Sequence, residues 1–440
     1  MQFYAIWWFF IIIIVAYNCF RKDTPTAGLS LAFLLGLSVE HWFGGIIYSF
    51  PWYKPTNYDT VILGFEYSTY AITSLYVGNV IFAPFIVKTF QFSWLKVRPH
   101  AIDPKLPKIY LATGVTFYFI LAPVLRGIIS FRTLVFSSWY LIIVGICLGF
   151  WNAWRLERHR ELFYWLIAAL MSPFFTMITE GFLGPGIMSL LSILCFVSVF
   201  YRPKWKVILG AALSIYLGLS LFITYMDYRK EIRDLVWAEN PTPLLGKAGV
   251  VFKMMSNFKF INLYNTEQLA FIDGRLNQNQ LVGSAVKYLQ DGSQPYAEGE
   301  TIAESVLAMI PRILWPEKPI VLGGADLVTR YTGIEFARGT SVGMGLIMEL
   351  YINFGIIGII VGFILLGIII KLVDMSCGYR LMQGDWQGFT YLFLPVICLV
   401  GSISFVHITM TISAAIVFCV VVNKILMPRI NMILTTRRSL

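Results

Sequence analysis

The sequence predicts an all-α polytopic membrane protein of about eleven transmembrane helices, with one large, partly helical external loop near residues 226–342. Three observations predict it. Of 440 residues, 58% are hydrophobic and 13% charged, about half the charge of a soluble domain and more apolar surface than a soluble core could hide. The apolar residues fall into long blocks nearly free of ionisable groups, each close to the roughly 20 residues a helix needs to cross a bilayer. The basic residues behind the net charge of +10 sit in short runs between those blocks. There they read as orientation signals facing an anionic leaflet, not as a nucleic-acid surface.

In chain order the spans read as 3–20, 27–48, 61–87, 109–125, 133–152, 162–180, 185–200, 207–225, 343–370, 388–404 and 406–426. The first has no basic residue before it and Arg21-Lys22 just after it, which suits a retained span with its N-terminus outside better than a signal peptide. Alternate connections must share a side. Those after spans one, three, five, seven and nine, with the tail, carry most of the Lys and Arg, whereas the opposite short connections hold only Lys54, Arg126 and Arg132. The positive-inside rule then puts the C-terminus in the cytoplasm and residues 226–342 outside. Residues 388–426 are too long an apolar stretch for one span and are read as a hairpin turning near Gly401 to His407. The chain thus divides into an N-terminal bundle of about eight helices (1–225), the external segment (226–342), and about three C-terminal helices with a short cytoplasmic tail (343–440).

The external segment holds 12 basic and 13 acidic residues, and it retains enough apolar side chains to cap the bundle or dip into the interface. From Glu300 to Leu314, Ile302, Ala303, Val306, Leu307, Ile310 and Leu314 recur at helical spacing. This predicts an amphipathic helix lying along the membrane surface. Gly145 with Gly149, and Gly358 with Gly362, are small-residue pairs suited to close helix packing. Trp7-Trp8 and Trp151 with Trp154 read as interfacial anchors. Of the six cysteines, five lie inside apolar blocks and Cys377 in a short polar connection, so no disulfide framework is expected. A Walker-type phosphate loop, a dinucleotide glycine fingerprint and metal-finger spacing are absent.

Chemistry is sought where polar groups are costly to keep or where the loop meets the outer mouth. Arg126 and Arg132 stand at the outer ends of spans four and five, placed either to bind an anion or to snorkel to lipid phosphates. Glu40-His41 and Glu180 lie within or at the ends of apolar spans, where structural hydrogen bonding is the plainer reading. In the loop, Arg275 sits in Asp273-Gly274-Arg275-Leu276-Asn277-Gln278, and Arg312 opens Pro311-Arg312-Ile313-Leu314-Trp315-Pro316-Glu317-Lys318-Pro319. A guanidinium is permanently charged and presents a rigid fork to phosphate oxygens, so arginines at an outer mouth suit a diphosphate. Lys318, Arg330 and Arg338 are further candidates. The alternative is a set of ion pairs with Glu317, Asp326 and Glu335.

Ten residues separate Arg312 from Gly323, and Gly345-Leu346-Ile347-Met348-Glu349-Leu350-Tyr351-Ile352-Asn353-Phe354-Gly355 leads into the next span. With these two runs flanking a large late loop, the sequence resembles the O-antigen and exopolysaccharide repeat-unit polymerases, the Wzy family. That family also shows a second arginine-ten-glycine loop. Here Arg275 is followed at the required place by Val286, so the second loop departs from the pattern.

The resemblance implies a membrane-embedded C-type glycosyltransferase of the bacterial cytoplasmic membrane, joining undecaprenyl-diphosphate-linked oligosaccharides at the outer face. The lipid-linked oligosaccharide would be both donor and acceptor, with a chain-length-regulating co-polymerase as a further partner. Arg312, with Arg275 and Arg338, would hold the departing diphosphate. A general base would take the acceptor hydroxyl proton, with Glu349 first, then Glu300 and His407 as candidates. No cofactor is implied. With no Asp-x-Asp pair, and only Glu298-Gly299-Glu300 in its place, metal independence is expected. Two other readings share these features: a ligase moving finished glycan from the same carrier to another acceptor, and a flippase, for which paired broken helices and repeat symmetry would be expected.

Overall fold

The computed structural model describes residues 1–21, 25–92, 97–125, 134–201, 205–237, 243–310, 315, 317, 324–337, 340, 342–401 and 404–429. Those residues are overwhelmingly helical and contain no strand. Eight helices among them are long and apolar enough to cross a membrane: Gln2–Phe20, Leu29–Ile47, Tyr58–Phe90, Leu134–Arg155, His159–Glu180, Gly184–Tyr201, Leu346–Gln383 and Phe405–Arg429. The remaining three expected spans fall on Leu106–Leu121, on the 32-residue helix Trp205–Val236 and on the 12-residue helix Trp386–Ile397. Twelve residues rise only about 18 Å, short of the roughly 30 Å hydrocarbon layer.

Leu29–Ile47 is the pivot of the bundle. Its N-terminal amides are captured by Asp374 from far along the chain: Oδ1 accepts from Ala27 N (2.7 Å) and Leu29 N (3.1 Å), and Oδ2 from Ser30 N (3.3 Å). A carboxylate there satisfies donors that the first helical turn leaves unpaired, and its charge suits the positive end of the dipole. Trp8 is a core residue and not an interfacial anchor. It is fully buried, stacks on Phe65 at 5.6 Å and donates its indole N–H to Ser38 Oγ at 2.9 Å.

Leu346–Gln383 is broken near its start. Phe354 (φ −137°, ψ 16°) and Gly355 (φ 62°, ψ −151°) leave helical geometry, and the second of these conformations is accessible essentially to glycine alone. The first segment turns back on the second, so that a Cβ on Gly358 would stand 2.5 Å from Leu350 O and one on Gly362 would stand 2.7 Å from Leu350 Cδ1. This glycine pair therefore receives the chain's own preceding turn, whereas Gly145 and Gly149 receive Leu111 and the Trp165 ring from neighbouring helices. All six cysteines are buried and none is in a disulfide, and Cys377 lies inside the Leu346–Gln383 helix instead of in a connection.

Within residues 226–342 the Trp205–Val236 helix continues past its expected end, followed by Leu244–Ser256, Thr266–Leu276, Asn279–Gln290, Glu300–Ala308 and Gly324–Thr332. Asn279–Gln290 packs closely along Tyr58–Tyr76. A Cβ on Gly64 would lie 1.8 Å from Asn279 O, and one on Gly283 would lie 1.9 Å from Thr60 O. Only bare backbone fits this crossing. Glu300–Ala308 is helical within the stretch from Glu300 to Leu314, of which residues 311–314 lie outside the described residues. It buries Thr301, Ser305 and Ala308 and leaves Val306, Leu307, Met309 and Ile310 outward.

Candidate active site

The run from Gly345 to Gly355 folds into a joint. Asn353 donates through Nδ2 to Thr301 Oγ1 (2.8 Å) and to Glu349 O (2.7 Å), and its Oδ1 accepts from Gly299 N (2.9 Å). Ile352 O accepts from Ala297 N at 2.8 Å. Glu349 is fully buried; its Oε2 accepts from Phe405 N at 2.6 Å, and Thr301 stands beside its carboxylate. Thr409 Oγ1 donates to Ser305 O at 2.7 Å, closing the contact between the Glu300–Ala308 and Phe405–Val421 helices. Segments near 297–305, 349–353 and 404–409 are thereby held together, and they carry the three expected base candidates Glu300, Glu349 and His407.

The candidates differ in setting. Glu300 is half-exposed and pairs with Arg330 at 3.4 Å, a contact that contributes less than about 1 kcal/mol at such exposure. Arg330 is thus engaged by a carboxylate, though not by one of those expected from the sequence. His407 is exposed on the first turn of its helix, where its N–H donates to Ser404 Oγ at 3.2 Å. Glu304, which sequence reading passed over, stands near both Glu300 and Glu349. Partial burial, and then the charge of Glu300, hold its carboxyl above the usual glutamate range, with Arg330 opposing.

Arg275 lies elsewhere on the cap. The run around it is anchored into the bundle: Tyr48 and Tyr53 hydroxyls both donate to Asp273 Oδ2 at 2.8 Å, and Asn277 Nδ2 donates to Asp273 Oδ1 at 2.6 Å. Asn279 Nδ2 donates to His41 O at 2.7 Å, Ser68 Oγ donates to Asn279 Oδ1 at 2.9 Å, and His41 Nδ1 lies 3.0 Å from the same oxygen. On this platform Arg275 is exposed, and burial of its stem, then the charge of Arg229, press its pKa below the usual arginine value. Arg233 feels both of these charges. Its Nε reaches Gly181 O at 3.5 Å, and its guanidinium lies over the Phe182 and Trp237 rings at 4.5 and 4.9 Å. Tyr225, Arg229 and Arg233 share one helix face at four-residue intervals.

Three nearby acids are already engaged. Asp227 binds Lys259 (2.7 Å), Glu231 binds Lys253 (3.2 Å), and Asp273 is taken by the two tyrosines. Among the described residues, neither Arg229 nor Arg275 has a carboxylate partner. Arg312, Arg338, Lys318 and Arg126, and Arg132 with them, lie outside the described residues.

A small cavity of about 10 Å³, room for roughly one water, is lined by Phe33, Leu37, Glu40, Leu346, Leu399 and Gly401. Glu40 accepts from Gln278 N at 2.9 Å through its carbonyl. Its carboxylate makes no hydrogen bond among the described residues, so the structural reading of this side chain does not hold. It does hold for His41, as above, and for Glu180, whose carboxylate accepts from the Tyr118 hydroxyl.

A family described as a domain of unknown function, DUF8712, matches residues 75–435. The chain belongs to the DUF8712 family. No curated protein and no solved structure matches it.

In this DUF8712 chain the matched stretch contains the Glu349 joint and all three arginines of the Arg275 cluster, while Glu40, His41 and Ser68 precede it. Among the described residues no group of three or more His, Cys, Asp or Glu side chains is arranged to hold a metal ion. Arg229 and Arg233 escaped sequence reading because they continue a helix assigned to a span. The four-residue recurrence of Tyr225, Arg229 and Arg233 was the available signal.

Proposed function

We propose that this DUF8712 protein is an oligosaccharide repeat-unit polymerase of the bacterial cytoplasmic membrane, with the N-terminus and residues 226–342 outside and the C-terminus in the cytoplasm. The observation that carries the reading is the set of guanidiniums Arg229, Arg233 and Arg275, gathered, among the described residues, without a carboxylate partner for Arg229 or Arg275 while Asp227, Glu231 and Asp273 are bound to lysines and tyrosines. Like charges held together repel, and a polyanion bound among them offsets that cost. Undecaprenyl diphosphate linked to an oligosaccharide supplies such an anion and carries its own activation.

In the reaction, the bond between the anomeric carbon and the diphosphate oxygen breaks as the acceptor hydroxyl oxygen attacks, so the lipid diphosphate departs and the anomeric centre inverts. Arg312 with Arg275, joined by Arg229 and Arg233, offsets the charge growing on the leaving oxygen. Glu349 takes the hydroxyl proton through Oε1, the carboxylate oxygen that does not cap the Phe405 helix. No metal or cofactor takes part in this scheme, and a chain-length regulator would bind beside the external segment.

Purified protein given lipid-linked repeat units alone should form a ladder of oligomers, undiminished by a chelator. A reaction that waits for a foreign acceptor would make the protein a ligase. Movement of the lipid-linked head across proteoliposomes without a new glycosidic bond would make it a flippase, and either result overturns the polymerase reading.

A further inference from the structure

A second polar site lies along the outer part of the Tyr58–Tyr76 helix, apart from the arginines. Tyr70 donates its hydroxyl to Glu66 Oε1, and Tyr4 from the first helix stands beside the same carboxylate. The Tyr67 ring meets Tyr70 edge-on at 5.8 Å and Tyr351 at 5.2 Å, and Tyr351 lies 6.1 Å from Tyr296. Gln290 donates through Nε2 to the Tyr67 hydroxyl at 3.3 Å. Tyr70 and Tyr296 remain 36% and 41% exposed, so they border an open surface.

Glu66 decides what this surface faces. Among the described residues it has no cationic partner, and Lys287, the nearest cation along the facing helix, spends its ammonium on Thr60 Oγ1 at 2.8 Å. An unpaired carboxylate on a spanning helix is costly against hydrocarbon, and such groups characteristically face water or a polar ligand. We infer that the groove bordered by Tyr4, Glu66, Tyr67, Tyr70, Gln290 and Tyr296 binds a neutral saccharide chain.

A pyranose presents C–H faces that stack on phenol rings, and its hydroxyls need both donors and acceptors, which the carboxylate, amide and phenols supply. Glu66 repels an anion, which keeps this groove chemically distinct from the arginine cluster. An acyl chain would leave the carboxylate without solvent. Tyr296 precedes Ala297, whose N–H donates to Ile352 O at 2.8 Å, so a chain in the groove would lead toward the joint. In assigning an acceptor glycan to the groove, the inference rests on the glycosyltransferase reading.

Full-length protein in nanodiscs is probed by saturation-transfer NMR with neutral tetrasaccharides of glucose, mannose and N-acetylglucosamine. At least one should receive saturation, with affinity falling about tenfold or more in Tyr70→Ala and in Tyr296→Ala and unfolding midpoints unchanged. Should Tyr70→Ala fail to fold, Tyr296→Ala, in an exposed connection, carries the test. Absence of transfer from every saccharide, transfer unaltered by either substitution, or displacement of the signal by tetramethylammonium would overturn the saccharide site. Saccharide binding in a protein that never forms a ladder removes the polymerase reading and leaves the groove. A ladder with binding unaltered by the substitutions does the reverse.

Discussion

Glu349 caps the helix that begins at Phe405, with Oε2 accepting the Phe405 N–H at 2.6 Å while Oε1 takes no part in the cap. One carboxylate thus has a structural oxygen and a second one on the Thr301 side. Glu349→Gln keeps an acceptor for the cap and should leave the unfolding midpoint near that of the parent, whereas Glu349→Ala loses the cap, at about 1 kcal/mol. Both should abolish the ladder. Retained polymerisation in Glu349→Gln would move the base to Glu300, His407 or Glu40.

Arg229 and Arg275 give a prediction with opposite signs for stability and activity. Each removes a like charge from the cluster, so Arg229→Gln or Arg275→Gln should hold or raise the unfolding midpoint of the ligand-free protein. Each should also lower polymerisation by the equivalent of about 2 to 4 kcal/mol of transition-state stabilisation. Arg275→Lys should restore little, because an ammonium does not reproduce the guanidinium fork. A lowered midpoint with normal activity would make these arginines structural. Arg312→Ala, judged by the same ladder, should be at least as severe.

The spans were readable because lipid imposes one requirement, some twenty apolar residues with every backbone group satisfied internally. The break at Phe354-Gly355 was not, since Asn353 and Gly355 are single interruptions among Ile352, Phe354, Ile356 and Ile357 and the pattern alone shows a single span. The Glu349 and Asn353 positions were legible as a motif, but their partners Phe405, Thr301 and Gly299 are distant in sequence. The docking of Asn279–Gln290 was invisible for a different reason. It depends on two glycines meeting backbone, and hydropathy assigns glycine no such role.

That crossing is directly testable. Gly64→Ala places a methyl group where Asn279 O now lies, and Gly283→Ala does the same against Thr60 O. Neither neighbour is a flexible side-chain end, so relief requires the two helices to separate. Overpacking of this kind costs about 1 to 3 kcal/mol, and separation would also disturb the Asn279, His41 and Ser68 hydrogen bonds. Both variants should unfold at lower temperature and show faster amide exchange in residues 279–290. Parent-like exchange there would mean that the helices do not cross at this point.

Glu304 sets a pH dependence whose sign follows from its surroundings. Its folded-state carboxyl titrates above the ordinary glutamate value, first through burial and then through Glu300, with Arg330 opposing. A raised carboxyl pKa means that the folded protein holds this proton more tightly than the unfolded chain does. The contribution to stability is therefore present below the ordinary glutamate value and is lost as pH rises through the higher folded value. Glu304→Gln removes that loss, because its amide stays neutral beside Glu300 and Glu349. The variant should unfold at a higher temperature than the parent at neutral pH, and the difference should shrink as pH is lowered toward the glutamate range. Arg330→Gln should act in the opposite direction, since it removes the one cation paired with Glu300 and leaves Glu304 facing that charge unopposed. A Glu304→Gln protein whose midpoint tracked the parent at every pH would show that this carboxylate is fully solvated.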